Sequence, residues 1–244
     1  MKKIYRRFVH FFNRVRDSFS VLLGNFYLYS KRKYAFHRLS FSQEGEDLLI
    51  ERIFPDQSSG FFVDVGAHHP SRFSNTYLLY LKGWRGVNID ANPEAKILFD
   101  KLRPEDKNVL AAISSEEKSL TYHMFDEPAL NTCDSAVARI HAKNSLKLAE
   151  QVVPGITLKS VLDGLASEDN SIDLLTVDVE GLDLAVLKSN DWFAYRPKVV
   201  FVESYIERNL SIEDLLDSPL VVFMKSVDYQ FFSRLDNTLV FKQT

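Results

Sequence analysis

Four short apolar runs in this chain end in acids. "FFVDVG" carries Asp64 and Gly66, "RGVNIDANP" carries Asp90 with Asn92 just after, "SIDLLTVDVEG" carries Asp178 with Glu180, and "KVVFVES" carries Glu203. Runs of this length and composition read as buried strands. A carboxylate at the end of a buried strand is costly unless it meets a donor or a cation. Four together point to a ligand, because in a sheet of parallel strands the ligand lies beyond the carboxyl ends, where the strand order reverses.

The spacing narrows the ligand. Asp90 follows Gly66 by 24 residues, close to the interval at which a dinucleotide fold offers an acid to a pair of ribose hydroxyls. The phosphate cradle of such a fold is missing, since His68 and Ser71 stand where G-x-G-x-x-G needs glycines. Those glycines let backbone N–H groups approach a pyrophosphate, so a nicotinamide dehydrogenase is disfavoured. The expected ligand has an adenosine-like part without phosphate, and S-adenosyl-L-methionine fits. Its sulfonium methyl is already activated, which leaves the protein to align an acceptor oxygen and manage a proton.

Asp178 is the leading candidate at the reacting centre. It could act as base, or hold a divalent cation that lowers the acceptor's pKa, with Glu180 or Glu203 as further oxygen ligands. His68 is the alternative base, on a loop between cofactor and acceptor and titrating near neutrality. Glu180 reads equally as an acid favoured at a helix N-terminus, and Asp183 as a surface acid of the same kind. His69 and Pro70 shape the turn. Gln43 and Glu44 either cap a helix or close it over the cofactor, and Asn75 either caps a helix or reaches the cofactor carboxylate.

Alternating elements would position these groups. "SQEGEDLLIERIF" predicts a capped helix from about Glu44, "NTYLLYLKGW" a helix stopped by Gly83, "PEAKILFDKLR" a helix with Pro93 in its first turn, and "NVLAAIS" a third strand. The polar run from Ser114 to Thr157 interrupts the alternation, with one helix expected over about Ala136 to Glu150. An insertion of that length is expected to be a lid or a substrate wall. "TLKSVLDGL" and "GLDLAVLKSN" resume the helices, Pro219 interrupts "SIEDLLDSPLVVFMKSV", and Asp236-Asn237 joins two β-rich runs as a hairpin. The expected fold is α/β: a doubly wound, Rossmann-like sheet of seven mostly parallel strands ending in an antiparallel hairpin.

Charge divides the chain. Ten Lys or Arg against the single acid Asp17 give +9 on residues 1 to 40, and twenty basic against thirty-two acidic residues give −12 on residues 41 to 244. The first part is expected to be an appendage and the second one domain. Ile4, Phe8, Phe11, Phe12, Val15, Phe19, Leu22, Leu23 and Phe26 recur at helical steps among the cations. The apolar runs are too short for a signal peptide or a spanning helix. Such a segment can lie on an anionic membrane, or pack on the domain's own sheet or on a second subunit in a homodimer. Cytoplasmic placement is expected, with residues 1 to 40 offering a peripheral contact at the inner face of the membrane. Cys133 is the single cysteine, so no internal disulfide or cysteine zinc site exists. Nucleic acid is not an expected partner, because the cations lie on the appendage and the site rim is acidic.

From about Phe41 onward the chain resembles the FkbM-type family of S-adenosylmethionine-dependent methyltransferases. The resemblance rests, in order, on "SQEGEDLLI", "FVDVGAHHPSRFSNTYLLY", "GWRGVNIDANP", "EPALNTCDS", "TVDVEGLDLAVLKSNDW" and "RPKVVFVES". It implies the class I methyltransferase fold and methylation of a hydroxyl oxygen of a sugar or polyketide. A glycan or glycolipid acceptor is the main expectation; a small secondary metabolite, or a non-catalytic module that binds the cofactor and recruits a partner, are the alternatives. The resemblance also implies that Asp64, Gly66 and Ala67 form the first cofactor motif and that Asp90 receives the ribose. The family's turn more often reads "GANxG" where His68, His69 and Pro70 stand, and its second acid is more often Glu followed by Pro.

Overall fold

The computed structural model describes residues 38–165, 171–204, 207 and 209–244. The expected basic helix lies outside the described residues apart from its last three positions. None of the described helices is long and apolar enough to cross a membrane.

Each apolar run becomes a strand. β1 (Phe61–Val65), β2 (Arg85–Asp90) and β3 (Lys107–Leu110) are joined by α2 (Tyr77–Leu81) and α3 (Pro93–Leu102), after α1 (Glu46–Ile53). The chain then forms β4 (Ala112–Ile113), β5 (Lys118–Phe125), α4 (Ser135–His141) and β6 (Lys147–Ile156). It returns through α5 (Leu158–Asp163), β7 (Leu174–Val177), α6 (Asp183–Lys188), β8 (Val199–Glu203), α7 (Ile212–Leu216), α8 (Pro219–Ser226), β9 (Tyr229–Leu235) and β10 (Thr238–Gln243).

The main sheet has seven strands in the order β3-β2-β1-β7-β8-β10-β9. β10 alone runs against its neighbours, pairing antiparallel with both β8 and β9. Strand residues alternate between two apolar layers. Val63, Val65, Val87, Ile89, Leu175 and Val177 belong to one, and Phe62, Leu174, Phe201 and Val240 to the other. Burial on both faces explains why these strands read as continuous apolar runs. The order reverses between β1 and β7, so the turns that follow them diverge and open a crevice.

Three local expectations are corrected. "NVLAAIS" is two strands: β3 pairs with β2, whereas β4 leaves the main sheet and pairs with β6. The insertion is ordered as a second sheet, β4-β6-β5. The helix expected to Glu150 ends at His141, and Lys147–Glu150 extend β6 because the long antiparallel ladder with β5 captures them. Here tertiary pairing overrides helix propensity. Pro219 starts α8 behind the cap Ser218, whose hydroxyl accepts from the Val221 N–H. The hairpin turns at Asp236-Asn237, with Asp236 at φ 44.

Candidate active site

Gly66 ends β1 in a left-handed turn (φ 80), and a Cβ there would lie 1.6 Å from the Asp178 carbonyl oxygen. The backbone after β7 thus runs hard against the turn after β1, which only glycine permits. The Asp178 N–H also donates to the Val65 carbonyl at 2.9 Å. Together these contacts put Asp178 at the floor of the crevice.

His68 follows at φ 54. Asn, Asp and His tolerate this region better than other side-chain-bearing residues, which explains how His can occupy the turn where the resembling family carries Asn. Its N–H donates to Asp90 Oδ2 at 2.7 Å, while the Asn92 N–H donates to Asp90 Oδ1 at 2.7 Å. Asp90 is fixed by two backbone donors, each oxygen retaining a lone pair, and burial holds its carboxyl above the usual range. Asn92 also caps α3, accepting from the Glu94 N–H at 3.0 Å.

One pocket of about 830 Å³ runs from Asp90, past Gly66 and His68, to Asp178 and Glu180, with Gln43 and Asn92 on its walls. Of the candidates from sequence, Asp64 and Ala67 are buried beside it without lining it. Asp64 accepts from Thr76 Oγ1 at 2.7 Å, and burial pushes its carboxyl up to about 6. Thr76 is also held by Arg103, a fully buried guanidinium paired with Asp106 at 2.8 Å. Asn75 turns its amide to Thr176 Oγ1 at 3.1 Å and so caps no helix with that group.

The insertion supplies the far wall: Tyr122, Asn131, Thr132 and Cys133 all line the pocket. Sequence reasoning gave these residues no role, although "EPALNTCDS" lies within the resemblance. Burial raises the Cys133 thiol to about 11, so it is no nucleophile. Thr132 Oγ1 donates to the Glu180 carbonyl at 2.7 Å, and Arg72 forms a two-pronged pair with Glu127 at 2.8 and 2.9 Å. These contacts tie the insertion to the turns after β7 and β1.

Glu180 stands at φ 55, and its Oε2 lies 3.8 Å from His141 Nε2. Asp183 is not the surface acid that its position suggests: it is buried and accepts from the Val179 and Gly181 N–H groups at 2.9 and 3.1 Å, closing the turn that presents Glu180. Asp178, Glu180 and Glu203 each place one carboxylate oxygen within 4.8 Å of the others. Three oxygens at that spacing could share a hard divalent cation. Burial, then the charge of Glu203, holds the Asp178 carboxyl well above the usual range. His68 goes the other way, pulled down to about 4 by burial and then by Arg72.

A seven-stranded sheet in this order, with its pocket at the carboxyl ends beside the reversal, defines the class I methyltransferase fold. The chain belongs to the FkbM methyltransferase family: the family model described as "Methyltransferase FkbM domain" matches residues 64–231. No curated protein matches the chain. Among solved structures, it is similar to the methyltransferase FkbM of Methylobacillus flagellatus KT, at 13% identity and a TM-score of 0.45, over 76% of this chain and 44% of that one. It is also similar to a TehB-like SAM-dependent methyltransferase from Corynebacterium glutamicum ATCC 13032 Kitasato, at 11% identity and a TM-score of 0.40, over 93% and 97% of the two chains. The chain thus spans less than half the length of the Methylobacillus protein.

Proposed function

We propose that this methyltransferase uses S-adenosyl-L-methionine to methylate a hydroxyl oxygen, that of a sugar or glycolipid. The observation that carries this reading is one pocket continuous from a doubly anchored Asp90 to the half-buried Asp178. Asp90 offers its remaining lone pairs to a ribose diol. Among the described residues no Lys or Arg lines the pocket to meet a phosphate, and its acids suit a ligand that carries positive charge. The bound cofactor supplies an activated methyl group.

Asp178 is then the residue that takes the acceptor's proton, directly or as a ligand, with Glu180 and Glu203, of a divalent cation. His68 is the weaker base. Its Nε2 lies 3.3 Å from Arg72 Nη1, and a guanidinium can only donate, so the ring's lone pair is already engaged. The basic N-terminal segment fits an enzyme working at an anionic membrane surface, where lipid-linked glycans are assembled.

Calorimetry with S-adenosylhomocysteine tests the cofactor. The full chain should bind it, and Asp90→Asn should weaken binding about 10- to 100-fold, the value of hydrogen bonds to a charged group. A wild-type chain that does not bind would sink the proposal.

A further inference from the structure

A second cavity, of about 500 Å³, opens on the other side of Asp178 and shares Gln43, Phe73 and Asp178 with the larger pocket. Glu46, Asn75, Glu203 and Asn237 are among its walls, and among the described residues no Lys, Arg or His lines it. Its carboxylates make acceptors the majority of its polar side-chain atoms. Asp178 Oδ1 and Asn237 Oδ1 are buried and have no hydrogen-bond partner among the described residues. Asn237 donates one amide N–H to Glu203 Oε1 at 2.7 Å, and Asn75 donates one of its own to Thr176. Glu46, only 4% exposed, is fixed by Thr238 Oγ1 at 3.1 Å and the Glu44 N–H at 2.9 Å. Among the described residues no Lys or Arg forms an ion pair with Glu46, Asp178 or Glu203.

Buried acceptors without donors and carboxylates without counter-charges are both costly. A ligand placed here must bring hydrogen-bond donors, and the wall is relieved most by one that also brings positive charge. An ammonium does both, with three N–H donors. A neutral hydroxyl brings one donor and no charge, whereas a carboxylate or phosphate would face the like-charged side chains of Glu46, Asp178 and Glu203. Phe73 adds an apolar face beside these acids for the ligand's carbon skeleton.

We propose that this cavity is the acceptor's subsite, and that the acceptor presents a protonated amine to Asp178, Glu203 and Glu46 beside the hydroxyl that is methylated. The inference rests on reading the larger pocket as the cofactor's. It narrows the acceptor to amino-bearing polyols, such as amino sugars, and excludes those that carry an anionic group at the reacting end.

The test is ligand-detected NMR on the full chain saturated with S-adenosylhomocysteine, in a chelator, with D-glucosamine, D-glucose and D-glucuronate as probes. Glucosamine should bind about ten-fold better than glucose, and glucuronate should give no signal. Glu46→Gln and Glu203→Gln should each erase that preference, with calorimetry checking that both variants still bind S-adenosylhomocysteine. The glucosamine signal should survive when Mg²⁺ replaces the chelator; if Mg²⁺ abolishes it, a metal meets the charge and the proposal is overturned. Glucose binding as well as glucosamine overturns the amine, and a preference that survives both substitutions overturns the location. S-adenosylhomocysteine binding without an amine preference defeats this inference alone. Failure to bind S-adenosylhomocysteine defeats the cofactor reading beneath it.

Discussion

Asp64 lies beside the pocket, its carboxyl buried against Thr76. Burial lifts it from an ordinary 3.8 to about 6. The sign follows: with the folded value above the unfolded one, the native state holds the proton more tightly. Asp64 therefore costs no stability below pH 4, and its cost grows as pH rises from 4 to 6, levelling near 3 kcal/mol at most. Urea denaturation of Asp64→Asn and wild type from pH 4.5 to 7.5 should show the variant gaining on wild type by about 2 kcal/mol across that window. A difference that stays flat with pH would show that Asp64 does not titrate there. The same scale explains His68: its left-handed backbone was invisible in the one-letter code, yet "DVGAHHP" puts a tolerant residue where the turn demands it.

At the scale of elements, the insertion is the part whose form sequence reasoning missed and whose position it anticipated. It walls the larger pocket, and it does so as a three-stranded sheet with α4 on it. Its ties to the main sheet include Thr132 to Glu180 and Arg72 to Glu127. The Arg72–Glu127 pair is more than a third exposed on both sides, so solvent and salt leave it a contribution of at most about 1 kcal/mol. Glu127→Gln should leave the melting temperature within about 3 °C of wild type. Hydrogen exchange should nonetheless speed up over residues 127–141, where local opening is governed by the few ties present. Unchanged exchange there would mean that the insertion is held by its apolar contacts alone.

For the whole molecule, the charge split of +9 on residues 1 to 40 against −12 on the remainder is an argument about where the enzyme works. An acidic domain is repelled by an anionic bilayer, so any attraction must come from the basic, Phe-rich segment. The full chain should float with vesicles containing anionic phosphatidylserine and sediment free of vesicles of neutral phosphatidylcholine. Deleting residues 1 to 40 should abolish flotation. Its persistence in the deleted chain would rule out that segment as the anchor.

Periodicity and composition were enough for the parallel sheet, because strands buried on both faces must be continuous apolar runs and helices between them must be amphipathic. The acids at strand ends were legible for the same reason: a polar residue closing an apolar run is conspicuous. Three things waited for the tertiary structure. The ladder between β5 and β6 captured residues whose local pattern favoured helix. Asp183, spaced like a surface acid, was turned inward by two backbone N–H groups. The carboxylates of Asp178, Glu180 and Glu203 came within 4.8 Å of one another, and Glu46, 132 residues before Asp178, came to wall the cavity beside them. A sequence records which groups exist. How close they stand is set by the sheet order, which brings β1, β7 and β8 side by side across more than a hundred residues of intervening chain.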